Sequence, residues 1–390
     1  MKIVFVSNYF NHHEKFLCDS LAAIPDVNFT FIQTQNMDSE RINLGWELDV
    51  KKISYCFCSN TSPKMYQMAL ELTNNADVVL FGSAPYEFIR ERVNTNKLTF
   101  FIAERLFRKG LWHMLYPPTF ISVLKRFIIP GNLSNFYMLC ASAYTPIDLY
   151  RIHTFRHKCY KWGHFISVDS PLRNSKSDMI KLLWVGRMIK LKHPDYAIKL
   201  ASNLKVSGIP FKMDIIGTGP LEDDLRKMLI DRRLEDDVII RKAMPADQVR
   251  QFMANADIFL FTSDFNEGWG AVLGEAMSAG CAVVCSHGIG ATPFLVEHKK
   301  NGLIYRTGCY SNFESCVRTL IECPQLRTDI ALSASLTMNN LWAPQIAANR
   351  LYEKAKELLA TGSFIPYKEG PLSVAPIINN KWFRDDTVKK

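Results

Sequence analysis

Two cations, two carboxylates and several glycine turns stand at the ends of apolar runs in the second half of the chain. Together they suit a phosphorylated nucleotide. Arg187 follows the run 181–185 and Gly186, and Lys192 comes five residues later. A guanidinium fork can hold two oxygens of a pyrophosphate, while an ammonium adds a compact charge. Gly217 and Gly219 end a second run, 211–216; residues without Cβ there permit a tight turn and close backbone approach to a ligand. A third cluster carries Asn266, Glu267, Gly268, Trp269 and Gly270 just before a helical pattern that contains Glu275. Amides ahead of a helix can receive an anion or sugar hydroxyls. Glu275 sits among Gly274, Ala276 and Met277, and an acid buried there needs a partner. The hydroxyl pair of a ribose would satisfy both of its oxygens. Gly288-Ile289-Gly290 follows a fourth apolar run. Singly, these features read equally as solvated loops, ordinary turns and a surface acid.

The elements that must position them alternate between strand and helix. In the first half, strands are expected at 2–7, 27–33, 78–81, 97–103 and 137–142, with helices at 13–23 and 63–74. A basic helical segment follows residue 103, broken at Pro117-Pro118 and at Pro130-Gly131. The polar stretch 168–177, with Pro171, reads as a linker. In the second half strands are expected at 181–185, 211–216, 238–241, 258–261, 282–285 and 302–305. Helices lie between them, then at 312–322 and 345–359. Apolar strands separated by helices indicate mostly parallel sheets covered on both faces. The fold class is therefore α/β, with two Rossmann-like, doubly wound domains facing across a cleft. Residues 1–170 form the first domain and 171–341 the second; 342–390 supply a terminal helix returning toward the first domain, and a tail. In such sheets ligands sit beyond the carboxyl ends of the strands, where the glycine-rich and charged turns fall.

Composition narrows the class. A chain of 390 residues with 48% hydrophobic content is long enough for two cores. The start leads straight into Ile3-Val4-Phe5-Val6, which is too short for a signal-peptide core, and no run of eighteen apolar residues suggests a spanning helix. The ten cysteines are scattered, so neither a disulfide scaffold nor a zinc site is expected. No D-x-D pair marks a metal; Asp223-Asp224 and Asp236-Asp237 are adjacent acids. The third glycine of the dinucleotide fingerprint is missing, which argues against a nicotinamide dehydrogenase.

The net charge of +9 is concentrated. Between Arg105 and His164 stand nine Arg or Lys and one acid, Asp148, which gives +8. Phe107, Leu111, Trp112, Leu115, Tyr116 and Phe120 are interleaved with those cations. This suits an anionic membrane surface or a phosphorylated partner, or else a solvated helix face beside core aromatics. Nucleic acid gives a similar signal but is not the partner expected here.

In order and spacing, the four clusters resemble the nucleotide-binding domain of the retaining glycosyltransferases of family 4, which have the two-domain GT-B fold. The likeness runs from Leu182 to about Tyr305, and the start of the chain resembles a branch from bacterial surface-polysaccharide synthesis. The resemblance implies that Arg187 and Lys192 contact the donor diphosphate. It sets Glu267 at the donor sugar and Glu275 at the nucleotide ribose. Gly268 and the following amides approach sugar and phosphate, and Gly186, Gly217, Gly219, Asn266, Trp269 and Gly270 complete the donor side. Arg187, Lys192 and Glu267 would be the catalytic set, without metal or other cofactor. The donor would be a nucleoside-diphosphate sugar, with a UDP-sugar favoured, and the acceptor a saccharide or lipid-linked saccharide. The expected location is the cytoplasm, peripherally on the inner face of the membrane.

The first domain departs from the family pattern. Many members carry a histidine in mid-domain, where this chain has Gly82-Ser83-Ala84-Pro85. The acceptor-side candidates are instead Asn11, His12 and His13, after the first strand, and Glu104 with Arg105, after the strand at 97–103. The competing functions are a related sugar-nucleotide epimerase, or a non-catalytic nucleotide-sugar-binding protein of a membrane assembly.

Overall fold

A parallel sheet buried on both faces needs strands that are apolar along their whole length. Val78–Phe81 and Ile258–Phe261 meet that demand, with every residue buried. The computed structural model describes residues 1–38, 48–108, 110–167 and 179–384. The linker expected at 168–177 lies outside the described residues, as does Lys109.

The chain divides into two units. The first comprises Met1–Ile166 with Leu341–Asn379, and the second Ser167–Asn340 with Asn380–Lys390. Unit 1 is built on β1 (Lys2–Ser7), β2 (Asn28–Gln33), β3 (Cys56–Cys58), β4 (Val78–Phe81), β5 (Thr99–Ala103), β6 (Phe136–Cys140) and β7 (Cys159–Lys161). Unit 2 is built on β8 (Ile180–Val185), β9 (Phe211–Ile216), β10 (Val238–Arg241), β11 (Ile258–Phe261), β12 (Ala282–Ser286) and β13 (Leu303–Tyr305). The sheet orders are β3-β2-β1-β4-β5-β6-β7 and β10-β9-β8-β11-β12-β13. Every pairing is parallel.

Both sheets reverse direction of growth beside their first strand, at β1/β4 and β8/β11. An aspartate ties each reversal: the Lys2 amide donates to Asp77 Oδ2 at 2.7 Å, and the Lys181 amide to Asp257 Oδ2 at 2.8 Å. The carboxylate before the fourth strand thus satisfies the edge of the first, fixing register in both units. The unit 2 core includes Trp184, Ile198, Leu260 and Phe313.

The terminal helix Pro344–Thr361 packs on the helix His12–Ala22 within unit 1. Beyond it the chain covers the open edge of β7, with the Lys161 amide donating to Ser373 O at 2.8 Å and the Ala375 amide to Cys159 O at 3.0 Å. A covered edge offers no template for foreign strands. Pro117-Pro118 does not break a helix but begins one, Pro117–Val123. A first-turn proline lacks only an N–H that would have no intrahelical partner. The helix continues through a wider turn, Leu124–Ile128, into Ile129–Gly131.

Candidate functional site

The carboxyl ends of β8 and β11 are neighbours because these strands pair, and their loops bring the first charged groups together. Lys192 Nζ lies 2.5 Å from Glu267 Oε2, with side chains only 14% and 13% exposed. The ammonium also stands 5.3 Å from the centre of the Phe261 ring, which adds a cation–π attraction. Around this pair the backbone is pinned. Trp184 Nε1 donates to Thr262 Oγ1 at 2.8 Å, and Thr262 Oγ1 donates to the Lys192 carbonyl at 2.5 Å. The Asp264 amide donates to Leu191 O at 2.9 Å, and His193 Nε2 stands 3.5 Å from Asp264 Oδ2. A half-buried pair held this way is oriented before any ligand arrives.

Arg187 is exposed on the same loop. The loop is shaped by its neighbour after β9. The Gly186 amide donates to Ile216 O at 3.0 Å and the Met188 amide to Thr218 O at 2.8 Å. A Cβ on Gly217, whose φ is +149°, would stand 1.9 Å from the Gly186 carbonyl oxygen, and one on Gly219 would stand 2.6 Å from Met188 O. The close approach that these glycines permit is therefore loop on loop, and it sets the path of Arg187.

The segment after β11 holds the remaining donor-side candidates. Asp264 Oδ1 accepts from the Asn266 amide at 2.8 Å and from Asn266 Nδ2 at 3.0 Å, which rounds the turn that presents Glu267. Gly268 is buried and Gly270 directly precedes the helix Ala271–Ser278. The Trp269 side chain is 2% exposed and packs near Phe294. It builds the core, leaving only backbone to face a ligand. Glu275 lies on that helix, where burial raises its carboxyl pKa and the charge of Arg250 pulls it back. Arg250 was not read from the sequence; nothing in its spacing pointed to Glu275.

In unit 1 the structure separates two neighbouring candidates. Arg105 is 7% exposed and its Nε lies 3.7 Å from Asp148 Oδ2, which is wholly buried. Its guanidinium also sits 5.1 Å from the Tyr144 ring. Arg105 is thus an internal ion pair, not an open acceptor contact. Glu104, by contrast, is half exposed and pairs with Arg108 and with His164, whose Nε2 is 3.5 Å from Glu104 Oε1. Asn11 caps the helix His12–Ala22, its Oδ1 accepting from the His13 amide at 2.8 Å. The His12 and His13 rings are 3.9 Å apart, and His13 lies 5.7 Å from His164. His164 and Glu14 are members of this cluster that sequence reasoning missed. His164 lies beyond the last strand of the sheet, so no local pattern links it to the first.

The basic stretch also divides. Phe107 is buried and Arg105 is internal, so neither meets solvent as expected. Trp112 is 64% and Leu115 86% exposed, with Tyr116, Phe120, Ile121 and Ile129 exposed as well. Lys125 is exposed nearby, while Arg126 donates from Nη1 to Ala84 O at 2.6 Å. Among the described residues, no helix is long and apolar enough to cross a membrane, and no group of three or more His, Cys, Asp or Glu is gathered for a metal.

Residues 169–335 match the family described as "Glycosyl transferases group 1". The amylovoran biosynthesis glycosyltransferase AmsK of Erwinia amylovora is 30% identical over 195 residues, 48% of this chain and 47% of that one. The N-acetylgalactosamine-N,N'-diacetylbacillosaminyl-diphospho-undecaprenol 4-alpha-N-acetylgalactosaminyltransferase of Campylobacter jejuni is 29% identical over 232 residues, 57% of this chain and 56% of that one. The chain thus spans about half the length of these curated relatives. Among solved structures, Anabaena Alr3699/HepE in complex with UDP superposes with a TM-score of 0.69 at 17% identity, covering 92% of this chain and all of that one. At that identity the likeness is one of fold: the two-unit GT-B arrangement of Rossmann-like sheets.

Proposed function

From the match of residues 169–335 to the glycosyl transferases group 1 family, we propose that the chain belongs to that family and moves a sugar from a nucleoside-diphosphate sugar to a saccharide acceptor. The observation that carries this reading is the half-buried Lys192–Glu267 pair at the β8/β11 switch point, the place where doubly wound sheets take up nucleotides. A UDP-sugar is the favoured donor, since the HepE structures with this fold hold UDP and UDP-glucose. The biological setting is surface-polysaccharide synthesis, in keeping with AmsK.

The chemistry follows from the charges. As the bond from the anomeric carbon to the diphosphate breaks, its electron pair leaves with the nucleoside diphosphate. Arg187 and Lys192 offset that growing charge, where fixed electrostatic groups contribute most to rate. Glu267 accepts hydrogen bonds from sugar hydroxyls and keeps the Lys192 ammonium in place until phosphate meets it. Glu275 accepts from the ribose hydroxyls. Gly186, Gly217 and Gly219 shape the loops, while backbone from Gly268 to Gly270 faces sugar and phosphate. Sugar is delivered with retention at the anomeric carbon. Residues 171–341 serve the donor and 1–170 the acceptor.

A lipid-linked saccharide is the acceptor class that best accounts for the face around Trp112 and Leu115. Large apolar side chains beside Lys125, in a stretch with no acid from residue 105 through 147, suit the headgroup boundary of an anionic leaflet. We assign the protein to the cytoplasmic face of the membrane, peripherally held. A screen of UDP-sugars and other nucleotide sugars for diphosphate release, repeated with lipid-linked saccharides added, tests the whole reading. Release that rises with acceptor supports transfer; tight nucleotide binding without release under any acceptor supports a non-catalytic binding protein instead.

A further inference from the structure

Unit 1 carries a knot of ionisable groups that the donor chemistry leaves unused. His12, His13 and Glu14 open the helix that follows β1, Glu104 directly follows β5, and His164 stands three residues beyond β7. Because the strands are parallel, their carboxyl ends share one edge, and the chain after β7 returns along it until His164 meets Glu104 and the His13 ring. Asn11 Nδ2 donates to Glu14 Oε2 at 2.5 Å. The cluster is sheltered yet reachable: His12, His13, Glu14, Glu104 and His164 are each half-buried.

Three properties of this knot suit a polyhydroxylated ligand. It mixes acceptors, the carboxylates, with imidazoles that can donate, accept or do both. It lies at the carboxyl edge, beside the β1/β4 reversal. Its members also bias one another's protonation. Burial raises the Glu14 carboxyl to about 7, against the pull of His164. Burial disfavours the His164 cation, yet Glu104 and Glu14 lift its pKa above the ordinary value. Burial holds His13 well below its usual range, with His12 and His164 adding to the effect. Arg108, paired with Glu104, and Cys18, one turn beyond Glu14 and under its field, belong to the charged and titratable surroundings, as do Lys15 and Asp19 on the same helix.

We propose that Glu14 and His164, with Asn11 and Glu104 as positioning residues, form a hydroxyl-binding subsite for the saccharide acceptor. The assignment rests on the glycosyltransferase reading and deepens it by naming side chains that would hold the acceptor. Near neutral pH the Glu14 carboxyl changes between donor and acceptor roles, so acceptor affinity depends on pH through it.

The full chain with UDP present, titrated with the methyl α- and β-glycosides of glucose, galactose and N-acetylglucosamine under saturation-transfer NMR, tests this. The wild type should bind at least one glycoside. Glu14→Gln and His164→Gln should each weaken that binding about tenfold while leaving UDP affinity unchanged. Glycoside affinity should change between pH 6 and 8 in the wild type and flatten in Glu14→Gln, a readout that a purely structural role would not move. If Glu14→Gln does not fold, His164→Gln and the wild-type pH profile decide. Equal glycoside binding by wild type and variants, or none by the wild type, overturns the subsite. UDP binding without glycoside binding sinks the subsite and spares the donor reading; glycoside binding without UDP binding does the reverse.

Discussion

Lys192 and Glu267 neutralise one another in a nearly closed setting, so removing either leaves the other poorly solvated. Lys192→Ala should lower kcat/KM for transfer by about 10²-fold or more, or about 2.7 kcal/mol of lost transition-state stabilisation. Steady-state assays at subsaturating donor measure it, and wild-type turnover in a folded variant would remove Lys192 from the site. Glu275 makes a separate prediction. In the proposed donor site ribose hydroxyls would donate to its ionised form, and burial raises its carboxyl pKa. UDP affinity should therefore weaken as pH falls through that raised value, and Glu275→Gln should bind UDP more weakly with a flatter pH profile. The same shift has a stability consequence of fixed sign. A carboxyl whose folded pKa lies above its unfolded one contributes most below the unfolded value, and that contribution is lost as pH rises through the folded one. Melting of Glu275→Gln should accordingly depend less on pH, and calorimetry showing identical UDP affinity and pH response in both proteins would contradict the ribose contact. At this scale the sequence singled out Arg187, Lys192 and Glu267 as candidates because each stands in a loop after an apolar strand. It did not disclose Arg250 or His164, whose relevance depends on long-range packing. Nor did it show that Arg105 faces inward, since the acid it pairs with, Asp148, is distant in the chain.

Loops and helices carry the next predictions. The β8 and β9 loops touch backbone to backbone at Gly217. Gly217→Ala adds a methyl where a carbonyl already stands, at a φ that side chains rarely adopt, so unfolding free energy should fall by about 2 kcal/mol or more. Urea unfolding measures it, and an unchanged midpoint would show that the loops can part freely. The apolar–basic face belongs to the helix Pro117–Val123 and its flanks. Trp112→Ser with Leu115→Ser should sharply reduce co-sedimentation with anionic vesicles, and Lys125→Glu should reduce it further at low salt. Both variants should melt near the wild-type temperature, because these side chains are exposed. Equal sedimentation of variants and wild type would reject this face as the anchor. Elements with strong apolar runs were legible: β9, β10 and β11 span the residues expected of them. The three-residue edge strands β3 and β7 were not, because an edge strand is defined by its neighbour more than by its composition. The helix Pro324–Leu341 was also missed. It buries only Ile330, Ala331, Ala334 and Met338, too small a face to give a clear period.

Across the whole molecule, the two sheets repeat one plan down to the aspartate that ties each first strand, and in each unit candidate site residues follow the carboxyl ends of the strands. The chain visits unit 1, then unit 2, then unit 1 again through Pro344–Thr361. Residues 380–384 belong to unit 2 again, where Trp382 Nε1 donates to His287 O at 3.2 Å. The doubly wound class was readable from alternation alone, whereas this last return was not, since an aromatic pair in a polar tail names no partner. As proposed, this fold moves a sugar from a nucleoside diphosphate onto a saccharide. The most direct measurement is mass analysis of lipid-linked saccharides after incubation with the protein and a panel of UDP-sugars, with UDP release followed in parallel. The product should carry one added glycosyl residue with the donor's anomeric configuration, matched mole for mole by UDP, and its formation should be strongly reduced in Lys192→Ala. Intact donors and unmodified acceptors across the panel, from protein that binds UDP, would contradict it.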